Sequence, residues 1–348
     1  MRVAYVHGGD TVPSVMFRRP FFEQLAGKGH RVSYYGSVPN RYDSWPAIGW
    51  RVSQFLKRRI RSMQIDIIGA RDYDTVVIET GLFHTDNVVL EEKLRRVSKR
   101  LVYEIDDAVF LLFPEKVGRI AEIADHVIAG NRAIADWISL WNKSVSVIPT
   151  CVRSKQYPSK WQDIGQRSIV DSQKLVIGWI GSASNVPFLK ICLPVLERLA
   201  EEFPLEVRIV TAVKAHGSLT SSKPSLLQWV DIDRCDATDQ IRKFDVGIMP
   251  LPPDDEWSRY KCNAKMVQYM MSGLATIASD TGYNRTLVTH GETGMLASAP
   301  EDWLAACRHL LPDSSKRQVI GVAARNSMLD THAVESRSGE YELAVWGT

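Results

Sequence analysis

The sequence contains few cysteines and no pattern that would pair them. Five cysteines are spread over 348 residues, an odd number without any C-x-x-C spacing. Disulfide frameworks and cysteine-based structural zinc sites need paired or closely spaced cysteines. This argues against both kinds of site and predicts a protein of the reducing cytoplasm.

Long hydrophobic runs are also missing. The longest uncharged runs, such as VIGWIGSASNVPFL, are broken by Gly, Ser, Asn and Pro, and they fall short of the roughly 18 apolar residues that a membrane span requires. The N-terminus MRVAYVHGGD carries charges at Arg2 and Asp10 and no long apolar segment, so it does not predict a secretory signal. A formal net charge of +3 is too small to indicate a nucleic-acid partner.

Short β-branched runs that alternate with helix-length segments dominate the chain. The runs are RVAYVH, RVSYY, TVVIE, RLVYEI, HVIAG and VSVIP, and the alternation restarts with LVIGWIG, LEVRIVT, FDVGIMP and LATIAS. Repeated alternation of this kind predicts the α/β class, with mostly parallel sheets covered by helices on both faces. We therefore predict two Rossmann-like, doubly wound lobes that face a cleft at the carboxyl ends of both sheets.

The predicted domain boundaries follow from a polar stretch without periodicity. Residues 151–173 form that stretch and are interpreted as a linker. An N-terminal domain is predicted for residues 1–150 and a second domain for residues 174–325, with a helical segment at 326–348.

The stretch YKCNAKMVQYMMSGLATIASDTG predicts a helix, a glycine cap at Gly273 and a strand. On that helix Lys261, Lys265 and Gln268 follow each other at i, i+4 and i+7, which places them on one face. Cations are mildly unfavourable at a helix N-terminus, so two lysines beside its free N–H groups indicate half of an anion site. The alternative is a solvated helix face.

Two turns that contain glycine follow predicted strands. Gly8 and Gly9 come after RVAYVH, and Gly181 and Ser182 come after LVIGWI. Glycine lets the backbone approach a ligand closely, and a helix start such as the one at Pro187 can bind a phosphate. A plain strand-to-helix connection would give the same pattern. The full G-x-G-x-x-G spacing is absent, which disfavours a dinucleotide site.

Carboxylates gather at two predicted strand ends. Asp106 and Asp107 end the run VYEIDD, and such a pair can act as acid and base, hold a metal or cap a helix. His7 and His126 also lie beside strand ends and are the two histidines considered for the cleft. The loop PLPPDDEWSRYK places Glu256 in an acidic trio beside a tryptophan. It suits a ligand with sugar and phosphate parts, or it is a charged surface loop.

Residues 49–69 combine basic and apolar residues at helical spacings. Five basic residues lie between Arg51 and Arg61, interleaved with large apolar ones, namely Trp50, Phe55, Leu56, Ile60 and Met63. This composition suits a helix that lies on an anionic lipid surface. An ordinary amphipathic helix packed on the first sheet is the alternative.

Together these residues resemble the glycosyltransferases of the GT-B type, and among them the family-four group of retaining enzymes. The segment ADHVIAGNRAIADWI…VSVIPTCV is similar to the family's pattern at the end of its N-terminal lobe. The segment FDVGIMPL…KCNAKMVQYMMSGLATIASDTGYN is similar to its donor-binding pattern, and GETGML follows as it does in the family. The resemblance covers nearly the whole chain.

The resemblance implies transfer of a sugar from a UDP- or GDP-linked donor to an acceptor hydroxyl, with retention of configuration and no cofactor. The acceptor would be a glycan, a lipid-linked molecule or a small molecule. Residues 326–348 would pack back on the first lobe, and contact with the inner membrane face through 49–69 would be peripheral. The second lobe's glycine loops contain no D-x-D, which predicts a metal-independent reaction. The implied roles are catalytic for Asp106, Asp107 and Lys265; donor-binding for Gly8, Gly9, Gly181, Ser182, Glu256, Lys261, Lys265, Gln268 and Asn284; and acceptor-binding for Arg18 and His126.

Three departures from the family pattern keep other functions open. Tyr260 and Gln268 stand where the family commonly has two glutamates, SASNVP follows Gly181 where relatives carry Arg and Lys, and Thr286 replaces an acidic residue. Lys265 and Arg18 would then supply the positive charge. The alternatives are a sugar-nucleotide epimerase of the same fold and a non-catalytic partner subunit.

Overall fold

The protein folds into two compact units, as seen in a computed structural model that describes residues 1–10, 12–161 and 174–347. The first unit contains Met1–Cys151, Tyr260–Cys262 and Val334–Thr348. The second contains Val152–Arg259 and Asn263–Ala333. Residues 162–173, which make up half of the predicted linker, lie outside the described residues.

The first unit is built on a six-stranded parallel sheet. Its strand order is β2-β1-β3-β4-β5-β6, and the inner strands are buried, which explains their nearly continuous apolar sequence. The order changes direction between β1 and β3, and the loops after these two strands lie where open α/β sheets place ligands. The strands are β1 Arg2–His7, β2 Arg31–Gly36, β3 Thr75–Glu79, β4 Leu101–Ile105, β5 His126–Ala129 and β6 Val145–Val147.

Helices cover the first sheet, and one of them comes from the end of the chain. Tyr341, Val345 and Trp346 of that last helix are buried in the same core as Tyr5 and Phe22. The Tyr341 ring stacks on Phe21 with centroids 4.3 Å apart. The helices of this unit are α1 Pro13–Gly27, α2 Gly49–Ala70, α3 Val89–Val97, α4 Pro114–Ile123, α5 Arg132–Ile138 and the last, α13 Val334–Trp346.

The second unit repeats the architecture. Its parallel strands follow the order β12-β11-β10-β7-β8-β9, and its core includes Trp179 and Trp303. Here the order changes direction between β7 and β10, so the loops after these two strands form the predicted ligand edge. The strands are β7 Leu175–Ile180, β8 Leu205–Thr211, β9 Leu227–Asp231, β10 Val246–Met249, β11 Ala275–Ser279 and β12 Met295–Ala297. The helices are α6 Leu193–Leu199, α7 Ala237–Arg242, α8 Glu256–Tyr260, α9 Ala264–Met271, α10 Asn284–Leu287, α11 Pro300–Leu310 and α12 Ser314–Thr331.

The structure confirms the predicted fold class and refines it. All ten predicted strands are present, and β9 and β12 are additional short edge strands. Helix α12 runs through the boundary predicted at 325/326, and the chain joins the first unit only at Val334. In the described ranges, no helix is both long and apolar enough to span a bilayer.

Candidate functional site

The carboxyl edge of the second sheet brings several predicted residues together. Gly181 and Ser182 directly follow β7, and Glu256, the first residue of α8, follows β10 after a short loop. The two segments lie on either side of the point where the strand order changes. Ser182 and Glu256 are exposed. The Tyr269 hydroxyl accepts a hydrogen bond of 2.8 Å from the Ile180 N–H, which ties helix α9 to the end of β7.

Lys265 lies over the turn at Gly181. Its Nζ is 5.4 Å from the centroid of the Trp179 ring, a cation–π distance. A Cβ at Gly181 would lie 2.5 Å from Lys265 Cε and 2.6 Å from the Trp179 ring, so only glycine leaves room for the lysine stem. Lys265, Trp179 and the Gly181 turn therefore form one local arrangement.

Lys261 does not belong to this arrangement. Asn263 adopts a left-handed conformation with φ 48°, so the chain turns there and helix α9 begins at Ala264. Lys261 lies in the short segment that packs in the first unit, where Asn131 Nδ2 donates to the Tyr260 carbonyl over 2.7 Å. The predicted stripe of Lys261, Lys265 and Gln268 on one helix is wrong in its first member.

Asn284 supports the loops and is not accessible to a ligand. It is fully buried, and its Nδ2 donates to the Ser279 carbonyl over 3.0 Å. Its Oδ1 accepts from Asn263 Nδ2 over 2.8 Å. Because both ends of the amide are bonded internally, the predicted donor contact is corrected to a role in fixing Asn263 at the start of α9.

Gln268 is half-buried on the same helix as Lys265. Its Nε2 donates to the Tyr157 hydroxyl over 2.8 Å. Burial raises the pKa of Tyr157, although the hydrogen bond from Gln268 acts in the opposite direction. Tyr157 was not found by sequence reasoning, since nothing in the polar stretch around it indicates a partner for a helix residue. The amide oxygen of Gln268 is the atom that could accept from a ligand hydroxyl.

The turn at Gly8 and Gly9 is used inside the first unit. The Gly8 N–H donates to Glu79 Oε2 over 3.1 Å, and the Gly9 N–H donates to His7 Nδ1 over 3.3 Å. A Cβ at Gly9, where φ is +125°, would lie 2.0 Å from Asn40 Oδ1. These glycines therefore allow the backbone to pack closely against the loop that contains Asn40, not against a ligand. Their predicted contact with the donor is corrected to this internal packing.

Glu79 is the centre of a buried charge network that sequence reasoning missed. It is 1% exposed and pairs with Arg41 Nη2 over 3.0 Å, while the Ser14 hydroxyl also donates to it. Burial by itself would raise the pKa of Glu79, but Arg41 and the hydrogen bonds hold it below its usual value. The sequence feature that could have indicated this network is the carboxylate that ends the apolar run TVVIE, because a buried carboxylate needs a charged partner.

Arg18 is committed to a second buried pair. It is fully buried, its Nε lies 2.8 Å from Glu104 Oε1, and its two Nη atoms donate to the Ile148 and Pro149 carbonyls over 3.0 Å. The Tyr341 hydroxyl donates to the other oxygen of Glu104 over 3.2 Å. Direct acceptor binding by Arg18 is therefore wrong, because the guanidinium is used to join α1 to the sheet.

Asp106 and Asp107 follow β4 at the carboxyl edge, as predicted. Burial, with Glu79, Asp107 and Glu104 nearby, raises the pKa of Asp106 to about 7 despite the attraction of Arg18. Asp107 accepts from the Ala108 N–H over 2.9 Å, which is a turn contact. Asp106 is thus the member of the pair whose proton is exchangeable near neutral pH.

His126 lies at the opposite edge of the sheet. It is the first residue of β5, and the amino end of that strand is remote from the edge where Asp106 lies. Its ring nitrogens bond the hydroxyls of Ser144 and Ser146 over 2.8 and 2.9 Å. The predicted acceptor contact of His126 is corrected to a structural one between β5 and β6. Among the described residues, no group of three or more His, Cys, Asp or Glu side chains is arranged to hold a metal ion.

Comparison with known proteins identifies the second unit. Residues 174–313 match the family model described as Glycosyl transferases group 1. This segment has the sequence pattern of a group 1 glycosyltransferase domain. The group 1 domain contains the Gly181 turn, Trp179 and Lys265. No curated protein sequence matches the chain significantly.

Solved structures show that the whole chain has the GT-B glycosyltransferase fold. HepE of Anabaena, solved with UDP-glucose, has 14% identity and a TM-score of 0.70, with 100% of both chains covered. Sucrose-phosphate synthase of Thermosynechococcus elongatus has 13% identity and a TM-score of 0.71, over 98% of this chain and 97% of that one. The lipopolysaccharide outer core galactosyltransferase WaaB has 12% identity and a TM-score of 0.66, over 100% and 99%. A group 1 domain in a chain of this fold explains the pattern of strands, glycine turns and the Lys265 helix.

Proposed function

We propose that the protein transfers a sugar from a nucleoside diphosphate sugar to an acceptor hydroxyl, with retention of anomeric configuration. The group 1 domain and the GT-B fold support the reaction class. A UDP-linked donor is preferred to a GDP-linked one because the HepE structures contain UDP and UDP-glucose. Retention rests on the resemblance to family-four enzymes.

The observation that carries this proposal is the placement of Lys265. Its stem passes over Gly181 and its ammonium over Trp179, at the sheet edge where the strand order changes. Helix α9 begins one residue before it, at Ala264, and the first N–H groups of a helix lack partners within the helix. A cation and a helix N-terminus together suit a diphosphate.

The proposed chemistry needs no covalent bond to the protein. The bond between the anomeric carbon and the diphosphate oxygen breaks, and a bond from that carbon to the acceptor oxygen forms. Lys265 and the N–H groups of α9 stabilise the negative charge that develops on the departing diphosphate. The acceptor proton passes to a phosphate oxygen of the leaving group, which acts as the base, so no side chain has to take the proton.

Asp106 is proposed to position the acceptor hydroxyl at the carboxyl edge of the first sheet. Its pKa of about 7 lets it accept a hydrogen bond from the hydroxyl when ionised. Asp107 holds the turn that presents it, through its bond to the Ala108 N–H. The acceptor is proposed to be a glycan, a lipid-linked molecule or a small molecule.

Metal independence, a cytoplasmic location and peripheral membrane contact through residues 49–69 are part of the proposal. Metal independence is supported by Lys265 and the N-terminus of α9, because together they can stabilise the negative charge of a diphosphate, as a divalent cation does in metal-dependent enzymes. The second is supported by the scattered cysteines. The third is supported by basic and apolar residues at helical spacing.

The first test is a thermal-shift panel with UDP-glucose, UDP-galactose, GDP-mannose and the free nucleotides. We expect a UDP-sugar to raise the melting temperature by several degrees, because a ligand at a hundred times its Kd adds about 2.7 kcal/mol of stability. Lys265→Met is the matched variant and should show a much smaller shift. A panel without any shift would contradict nucleotide-sugar binding.

The second test follows the anomeric proton by NMR once a donor is known. We expect the first product to keep the donor's anomeric configuration and the rate to be unchanged by EDTA. An inverted product would remove the retaining assignment. Loss of activity in EDTA would indicate that the acidic loop around Glu256 holds a metal rather than sugar hydroxyls.

A non-catalytic role is the second candidate, and one observation favours it. The amide of Gln268 already donates to Tyr157, and Gln268 stands where the family has a glutamate that binds the donor ribose. A partner subunit of this kind should show no donor-induced thermal shift. An epimerase should instead isomerise the free UDP-sugar when no acceptor is present, which the same NMR experiment detects.

A further inference from the structure

A cavity of about 570 Å³ lies at the amino edge of the first sheet, between β5, β6 and the last helix, α13. Its polar lining includes Arg100, His126, Ser144 and Ser146, and its apolar lining includes Val147 and Leu343. All of these residues belong to the first unit. His126 begins β5, whereas Asp106 follows the end of β4, so the cavity is separate from the edge where the acceptor is proposed to bind.

Each nitrogen of the His126 ring bonds a serine hydroxyl. Nδ1 lies 2.8 Å from Ser144 Oγ, and Nε2 lies 2.9 Å from Ser146 Oγ. A neutral imidazole has one N–H donor and one acceptor nitrogen, so one serine donates to the ring and only the other can donate to a third group. A protonated imidazole donates from both nitrogens, which leaves both hydroxyl protons available. The charge of the ring therefore decides whether one or two serines can donate to a ligand.

Arg100 gives the cavity a positive charge. Its Nε and Nη2 donate to two carbonyls at the end of α13 over 3.1 and 3.2 Å, and within the described ranges no carboxylate forms an ion pair with it. Burial and, to a smaller extent, the charge of Arg100 lower the pKa of His126. An anion beside Arg100 would offset this repulsion and favour the protonated ring.

The other charged groups around His126 are already paired or bonded. Asp125, the preceding residue, lies 3.0 Å from Arg95, and Glu340 of α13 lies 2.8 Å from Arg337. The Lys143 ammonium, before β6, donates to a backbone carbonyl over 2.7 Å. Because each carboxylate is neutralised by its own arginine, the local balance of charge is positive, which suits an anionic ligand.

We propose that this cavity binds a small oxyanion, either a free phosphate or sulfate ion or the phosphate group of a phosphomonoester, between Arg100 and the hydroxyls of Ser144 and Ser146. Protonation of His126 strengthens the binding, because it adds a positive charge and frees the second hydroxyl to donate. By linkage the bound anion raises the pKa of His126. The cavity is much larger than a phosphate group, so the organic part of a phosphomonoester would fit beside Val147 and Leu343.

The test follows the His126 ring of the full chain by NMR as the pH is varied, in sodium sulfate and in sodium chloride of equal ionic strength. Sulfate is the probe because it stays doubly charged over the whole range, and the variant His126→Gln identifies the signal of His126. We expect sulfate to raise the pKa of His126. Sulfate should also bind about tenfold more tightly at about pH 5 than at about pH 8, since a hydrogen bond to a charged group is gained.

Ser146→Ala removes one of the two donors. It should weaken sulfate binding at about pH 5 about tenfold. Ser139→Ala is the matched control in the same unit, because the Ser139 hydroxyl donates to the Ala135 carbonyl over 2.7 Å; it should bind sulfate as the wild type does. Equal melting temperatures of the variants show that they are folded.

Glycerol 3-phosphate distinguishes the two sources of the anion. Tighter binding of this ester than of sulfate would identify a phosphomonoester, and equal affinities would identify the free anion. Lys265→Met should leave the His126 titration unchanged, because the signal reports only on the cavity. The same variant is expected to lose the thermal shift with UDP-sugar, so this inference and the proposed transfer reaction fail separately.

Three results would overturn the inference. The first is an equal pKa of His126 in sulfate and in chloride. The second is equal affinity for sulfate at both pH values. The third is a sulfate effect that persists undiminished in Ser146→Ala.

Discussion

Replacing Lys265 by methionine tests whether this side chain acts through its charge. Methionine keeps an unbranched stem beside Gly181 and over Trp179, so packing changes little. The lost cation–π contact, with Nζ 5.4 Å from the ring centroid, is worth about 0.5 to 2 kcal/mol of folding free energy. Loss of one preorganised charge contact to a developing anion costs about 2.7 kcal/mol or more in transition-state stabilisation. The expected result is turnover lowered about a hundredfold with a melting temperature lowered by only a few degrees.

The assay is steady-state transfer with the donor found in the thermal-shift panel. Lys223→Met is the matched control in the same unit, because Lys223 forms a surface pair of 2.7 Å with Glu201 and such pairs contribute little. The control should keep wild-type turnover. If Lys265→Met kept both the donor affinity and the turnover of the wild type, the anion site at the start of α9 would be refuted.

The remaining predictions concern three other positions. The pKa of Asp106 is about 7 in the folded protein and about 3.9 in the unfolded chain, so the folded state loses stability as the pH rises between these values. Asp106→Asn should therefore raise the melting temperature more at about pH 8 than at about pH 5. An equal shift at both pH values would contradict the raised pKa. Glu79→Gln should lower the free energy of unfolding in urea by about 3 to 5 kcal/mol, because Arg41 stays buried without its carboxylate; a loss below about 1 kcal/mol would contradict the network. Gly181→Ala should displace Lys265 and weaken donor binding, measured by calorimetry, about tenfold or more. The control Gly339→Ala, whose added methyl group meets no neighbouring atom, should leave donor binding unchanged. Equal donor affinities of the two variants would contradict the close packing at Gly181.

The strands and the two-lobe fold could be predicted because their signals are local. Buried inner strands of a parallel sheet need continuous apolar runs, and such runs, together with β-branched runs for the half-buried strands β2 and β6, are visible in the sequence. The edge strands β9 and β12 were missed because LQWVD is of mixed polarity and MLA has only three residues. Gly273 was correctly predicted as a helix cap, since its φ of 70° is a conformation that favours glycine.

The rotation of α2 could not be predicted, and the site was predicted only in part. Spacing places Lys57 and Arg61 on one face, but only the fold shows that backbone carbonyls of distant loops receive them. The break before α9 depends on the left-handed Asn263, whose side chain makes no capping bond to its own helix and is held by Asn284, the first residue of α10, 21 residues further along the chain. Arg18 was predicted to be available as a cation because its partner Glu104 is far away in the sequence, and only the fold brings the two side chains together. Side chains bonded to remote segments are thus where sequence spacing misleads.

The chain order of the first unit has a consequence for biosynthesis. Its core is completed by Tyr341, Val345 and Trp346 of α13, and the Tyr341 hydroxyl donates to Glu104. The strands of the first sheet are therefore synthesised long before the helix that completes their core. Until α13 leaves the ribosome, Phe21 and its neighbours lack their packing partner and the pair of Arg18 and Glu104 lacks a hydrogen bond. The second unit, whose segments end at Ala333, is fully synthesised before that moment. The unit whose strands are synthesised first therefore completes its core last, and the part of its first sheet that α13 covers lacks this helix until residues 334–346 have been synthesised.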